Sequence, residues 1–218
     1  MCGLYTERSK AELLRRRYDA EGDLFDWTPP ERIARTDRAP VVRATAQGGR
    51  RIDILRFGLV PRWADDARIG AKLVNARGET VAEKPAFRDA FRRRRCLVPA
   101  EGYFEWMAVA GRKQPYRIAP ADGQPMTFAG LWERWQPPDE AAPVDSFAIV
   151  TTTPAPAIAE IHDRMPVILA PEAYDTWLAG EPAAALALVR PYAGALAAEP
   201  VSFAPARRAP AGSTPRLL

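Results

Sequence analysis

Cys2 stands directly behind the initiator methionine, in the stretch Met1-Cys2-Gly3, and is one of only two cysteines in 218 residues. Chain termini are usually frayed, so a structural cysteine has little to pack against there. A reactive one has a reason to be there. Once Met1 is removed, Cys2 carries a free α-amine and a thiol on adjacent carbons, two nucleophiles in one residue. His162, in the stretch IHDRMP, is the only histidine. Its ordinary pKa of about 6.5 suits proton transfer at neutral pH, and a hydrogen-bonded structural role is the alternative. Glu105 lies in EGYFEWMAV, where strand alternation puts it on one face with Tyr103 and Met107. A carboxylate on that apolar face either has a cationic partner or carries a raised pKa, unless the strand is an edge and the side chain points to water. Asn75, in LVNARGET, is either a turn cap or an amide that both donates to and accepts from a reacting group. Arg77 points the same way as Asn75 if the stretch is extended, as a phosphate ligand would. Trp63, in the polar loop VPRWADD, is placed for exposure and for stacking on a base.

These residues need elements to hold them. SKAELLRRR opens with the capping pair Ser9 and Glu12, which predicts a helix over 10–19. Gly48-Gly49 between VVRATAQ and RIDILRFGLV predicts a hairpin. PAFRDAFRRR predicts a short helix, with the run Arg92 to Arg95 as its solvated, charge-favoured C-terminal end. Strands are expected at RCLVPA, YFEWMAV, QPYRIA, MTFAGLWERW and DSFAIVTTT. PAPAIAEIHDRM is a short helix or loop, PVILA a short buried strand, and PEAYDTWLA a helix with Pro171 in its first position. The expected fold is α+β: a single domain with a mainly antiparallel, barrel-like β core, peripheral helices and a positively charged cleft. The segment 205–218 is expected to be a disordered tail.

Hydrophobic residues make up 47% and charged residues 27%, the balance of an ordinary globular protein. No apolar run is long enough for a membrane span and the N-terminus has no apolar signal region, so no membrane role is expected. Two cysteines make no disulfide framework, which points to a reducing cytoplasm. Cys96 is expected to be a buried small hydrophobe. Paired zinc-ligand spacing, a dinucleotide fingerprint and a phosphate loop are all missing from the sequence, so no metal or other cofactor is expected. The net charge of +4 favours an anionic partner, nucleic acid being the common one, without deciding it.

The ordered set MCG, RAP, GLVPRW, NARGET, CLVPAEGYFEW, KQPY, AGLWE and IHDRMPVIL runs from Cys2 to Leu169 and resembles the SRAP family, the SOS response-associated peptidases. An SRAP-like domain over 1–204 follows. The resemblance implies that Met1 is removed autocatalytically and that the protein binds single-stranded DNA carrying abasic sites, as a monomer. It also implies that Cys2 closes a thiazolidine with the abasic aldehyde, shielding the lesion. Asn75, Glu105 and His162 match the family's other active-site positions, Asn75 for positioning and the other two for moving protons. Arg77, Trp63, Trp106, Pro40 and Thr151 match its DNA-facing positions. The chain departs from the family at Leu4, where arginine is usual, at Asp37, where asparagine is typical, and at Phe57, where tryptophan is usual. Two other readings are a thiol peptidase acting on proteins through Cys2, and a nucleic-acid binding module that tolerates Cys2→Ala.

Overall fold

The computed structural model describes residues 2–22, 27–138 and 142–203. In chain order the elements are β1 (Leu4–Thr6), α1 (Ala11–Tyr18), β2 (Ile33–Ala34), β3 (Arg38–Ala44), β4 (Arg50–Phe57), β5 (Asn75–Arg77), α2 (Arg88–Arg93) and β6 (Arg95–Ala100). They continue with β7 (Gly102–Val109), β8 (Arg112–Pro120), β9 (Met126–Trp135), β10 (Val144–Thr152), β11 (Met165–Pro166), α3 (Tyr174–Ala179), α4 (Pro182–Ala187) and β12 (Leu196–Pro200). Among these residues no helix is long and apolar enough to cross a membrane. The tail expected over 205–218 lies outside the described residues.

Five strands close on themselves. β10 pairs with β4 and with β9, while β4 pairs with β3, β3 with β6 and β6 with β9. Closure leaves none of the five with an exposed edge. Only the β4–β10 contact in this ring is parallel. The short β5 and β11 attach to β10, and a second sheet runs β12-β8-β7-β1-β2. The β3–β4 hairpin turns where the glycine pair predicts, with Gly48 at φ 85° and the Gly48 N–H donating to the Thr45 carbonyl at 3.1 Å.

Strand alternation divides the core. Along β10, Ala148 and Val150 join the cluster that buries Leu14 and Tyr18 of α1, Phe91 of α2 and Trp177 of α3. Phe147 and Ile149 face the other cluster, with Tyr5, Phe57, Tyr103, Phe128 and Cys2. There Phe57 stacks on Phe147 at 5.1 Å between centroids and meets the Tyr5 ring edge-on at 5.6 Å. Phe57 is therefore a core side chain.

From Cys2 onward the chain is anchored. β1 lies between β7 and β2, Tyr5 is fully buried, and the buried Glu7 carboxylate accepts the Ser9 N–H at 2.7 Å. Helix α1 spans nearly the predicted range, but its N-cap is Lys10, with no side-chain capping bond. Ser9 instead accepts from the Arg17 guanidinium at 3.0 Å, so the expected capping box is replaced by a tertiary contact. Arg95 is also not a solvated helix end. It is 5% exposed and donates to the Phe91 and Arg92 carbonyls of α2 and to the Trp177 and Gly180 carbonyls at the end of α3. One guanidinium thus satisfies the orphan carbonyls of two helix ends.

Candidate active site around Cys2

β1 runs antiparallel to β7 with Tyr5 opposite Tyr103 and Thr6 opposite Gly102. Moving back along β1 toward Cys2 therefore moves forward along β7 toward Glu105. Both ends of that path are buried, Cys2 at 1% and Glu105 at 2% exposed. Asn75 reaches the same place from the barrel. Its strand β5 pairs in parallel with β10, Asn75 beside Ile149 and Arg77 beside Thr151. Those partners put Asn75 and Arg77 on the face that carries Cys2, while Ala76 packs into the opposite cluster. The Asn75 Nδ2 donates to the Cys2 carbonyl at 3.0 Å. His162 enters from the loop before β11, its Nε2 3.6 Å from the Glu105 Oε2. Four residues far apart in sequence are thus linked through Cys2 and Glu105.

The electrostatics assign each group a protonation state. Burial pushes the Glu105 carboxyl up to about 7, against the opposing pull of the N-terminal ammonium. Burial, and next the charge of Glu105, raise the Cys2 thiol well above its ordinary range. Burial lowers the His162 imidazole, with the N-terminal ammonium adding to the effect and Asp163 opposing it. The His162 Nδ1 accepts the Arg164 backbone N–H at 3.0 Å, which a neutral ring allows, leaving the proton on Nε2 toward Glu105. At neutral pH the site therefore holds a neutral thiol, a neutral imidazole and a carboxyl close to half-protonated. Such a carboxyl can give or take a proton at little cost.

The remaining expected positions are distributed less evenly. Arg77 is exposed. Thr151 is fully buried and its hydroxyl contacts the Ala76 carbonyl at 3.5 Å. Trp63 is 58% exposed, as its polar loop predicts. Trp106 alternates with Glu105 and so turns to the opposite face of β7, where it packs on Phe203 at 6.0 Å between centroids. Pro40 is buried within β3 opposite Ile54, so its ring is not a surface feature. Asp37 is exposed, yet its Oδ2 accepts the Ala34 N–H at 2.8 Å and closes the turn before β3. Cys96 is fully buried in β6, and both cysteines are free.

Glu79 of NARGET and Arg164 of IHDRMPVIL carry no role that the sequence alone assigns. The Arg164 guanidinium grips both Glu79 oxygens, at 2.5 and 2.8 Å, and donates to the Thr151 carbonyl at 2.8 Å. Gly78, beside Glu79, has space for no side chain: a Cβ there would lie 2.1 Å from the Val189 Cγ1.

Residues 1–204 match the family model described as SOS response associated peptidase (SRAP). The abasic site processing protein YoqW of Bacillus subtilis is 36% identical over 181 residues, covering 82% of this chain and 80% of that protein. The abasic site processing protein YedK of Escherichia coli is 32% identical over 217 residues, covering 96% and 93%. A crystal structure of a protein from Bacteroides thetaiotaomicron superposes with a TM-score of 0.83 at 26% identity, covering 92% of both chains.

Proposed function

The chain belongs to the SRAP family, and on that premise we propose that it captures abasic sites in single-stranded DNA by forming a thiazolidine through Cys2. The observation that carries this reading is the seat of Cys2: its carbonyl is pinned by Asn75 and its thiol is buried beside a carboxyl that titrates at about 7.

Until the Met1–Cys2 peptide bond is hydrolysed, the Cys2 nitrogen is an amide and no nucleophile; its removal by the same site would make the protein its own activator. The freed amine, with an ordinary pKa of about 7.7–8.0, is partly unprotonated at neutral pH. It attacks the aldehyde carbon of the ring-opened abasic sugar, a C–N bond forms, and the amine proton passes to the oxygen. The Glu105 carboxyl protonates the resulting hydroxyl, water leaves, and a protonated imine remains. The Cys2 thiol then gives its proton to the Glu105 carboxylate and its sulfur adds to the iminium carbon, the C=N π electrons returning to the nitrogen, which keeps its N–H. The balance is one aldehyde and one aminothiol to one thiazolidine and one water, with no change of oxidation state. The second step is intramolecular, which favours it entropically. His162 exchanges protons with Glu105 through Nε2 and assists opening of the sugar ring. Arg77 holds a phosphate flanking the lesion and lines the positively charged side of the cleft. The protein acts as a monomer in the reducing cytoplasm.

The raised thiol weighs against repeated peptide cleavage. A thiol peptidase needs a thiolate paired with its base, whereas the His162 Nε2 faces Glu105.

The test is a denaturing gel of the full chain with a single-stranded oligonucleotide bearing one abasic site. An undamaged strand and a Cys2→Ala variant serve as controls. A heat-stable, slower band that needs both the abasic site and Cys2 is the expected result. No band from a chain whose intact mass shows Met1 already removed would refute the reading. Repeated turnover of peptide substrates by that same chain would replace it with the peptidase.

A further inference from the structure

We propose that Glu79 is a positioning residue for His162, acting through the Arg164 side chain and backbone. The inference rests on the reading of His162 as a proton carrier, though its first test does not use DNA.

The connection is continuous. Glu79 sits in the short 3-10 segment Gly78–Thr80 that follows β5. Both of its oxygens take the Arg164 guanidinium, at 2.5 and 2.8 Å, in the bidentate geometry that fixes direction as well as distance. The same guanidinium donates to the Thr151 carbonyl at 2.8 Å and contacts the Thr151 hydroxyl at 3.3 Å. Its side chain is only 11% exposed, against 49% for Glu79. An ordinary surface ion pair leaves a long side chain free to wander and contributes little. Here the arginine is desolvated and held at both ends of its fork. That fixes residue 164, and the N–H of residue 164 is the group that occupies the His162 Nδ1 at 3.0 Å.

Occupying Nδ1 decides the tautomer. The competing partner is the Asp163 carboxylate, whose Oδ1 also lies 3.0 Å from Nδ1. If the Arg164 N–H drifts away, Asp163 can accept a proton from Nδ1, and Nε2 then turns from donor to acceptor toward Glu105. Among the described residues, those facing the imidazole include Glu105 from β7, and Asp163 and Arg164 from its own loop. Of these three, Asp163 carries the carboxylate within reach of Nδ1.

Two effects of deleting the Glu79 carboxylate have opposite signs. Loss of a nearby negative charge alone destabilises the imidazolium and moves the His162 titration midpoint down. Loss of positioning hands Nδ1 to Asp163, stabilises the imidazolium and moves the midpoint up.

His162 is the only histidine in the chain, so its imidazole resonances are unambiguous. The experiment is a long-range 1H–15N titration of the full chain and of Glu79→Ala. The expected native form is the Nε2–H tautomer. In Glu79→Ala the Nδ1–H form should become populated and the midpoint should rise. Glu79→Gln, which keeps the shape and one acceptor oxygen, should fall between them and carries the test if Glu79→Ala does not fold. Cross-linking of abasic DNA at pH 7 by Glu79→Ala should slow by ~10-fold, because a displaced proton carrier keeps only part of its effect. An unchanged tautomer, or a midpoint that moves down, overturns the positioning role. Failure of the native chain to cross-link at all would instead remove the proposed reaction and leave the tautomer result standing.

Discussion

Replacing Glu105 with glutamine should make the protein more stable above neutral pH and less active. Glu105 is 2% exposed, and burial moves its carboxyl from an ordinary 4.5 to about 7. As pH rises, the unfolded carboxyl ionises first, so the native state loses stability from about 4.5 upward until its own carboxyl ionises at about 7. Beyond that point the loss is constant. The gap corresponds to ~3 kcal/mol at pH 8 and to almost nothing at pH 4. Glutamine keeps the shape without the charge and should recover most of that amount. For a chain of this size the gain is a rise in Tm of roughly 6–12 °C at pH 8. Thermal melts of native and Glu105→Gln chains at the two pH values measure it directly, because other titrations cancel in the difference. Cross-linking, followed on the gel described above, should fall by ~100-fold or more, the usual contribution of a positioned acid–base group. A stability difference that is the same at both pH values would refute the argument, since it would show that the carboxyl does not pay a burial penalty as an anion.

Gly78→Ala places a Cβ 2.1 Å from the Val189 Cγ1 and 3.0 Å from the Thr151 carbonyl oxygen. It should destabilise by ~1–3 kcal/mol in urea unfolding, with Val189→Ala restoring part of the loss; no loss would mean the segment after β5 shifts freely. Asp37→Asn keeps an oxygen to accept the Ala34 N–H, so stability should stay within ~0.5 kcal/mol. Single-stranded DNA binding, measured by fluorescence anisotropy, should tighten at low salt, with the gain fading as salt rises. Equal affinity at low salt would show that Asp37 faces no phosphate.

What the sequence made legible depends on how far each signal reaches. Largely buried apolar strands such as β6 and β9 follow from their own residues, and so does the hairpin at Gly48. Tyr103, Glu105 and Met107 share a face by strand alternation, which also turns Trp106 away from Cys2 and onto Phe203. The short elements that build the site have no such signal. β1, β2 and β5 span three, two and three residues. They are strands because β7, β1 and β10 respectively offer them partners, not because of their own propensity. The expectation of a frayed N-terminus assumes an end with no neighbours; Cys2 has them because β1 is an interior strand of its sheet. The motif order could bring Asn75, Glu105 and His162 to Cys2 as a set of matching positions, but not the direction of their protons. That comes from burial of Glu105 and from one backbone N–H at residue 164, quantities that belong to tertiary structure. Arg95 and Ser9 make the same point from the other side. A basic run and a capping pair are local patterns with ordinary local meanings, and both are overridden where a distant carbonyl or guanidinium is a stronger partner than water. The residues proposed for the chemistry are therefore visible by type, while their protonation states depend on contacts between segments that sequence spacing does not encode. Glu105→Gln and Glu79→Ala test those two contacts separately, one through burial and one through the geometry of the His162 loop.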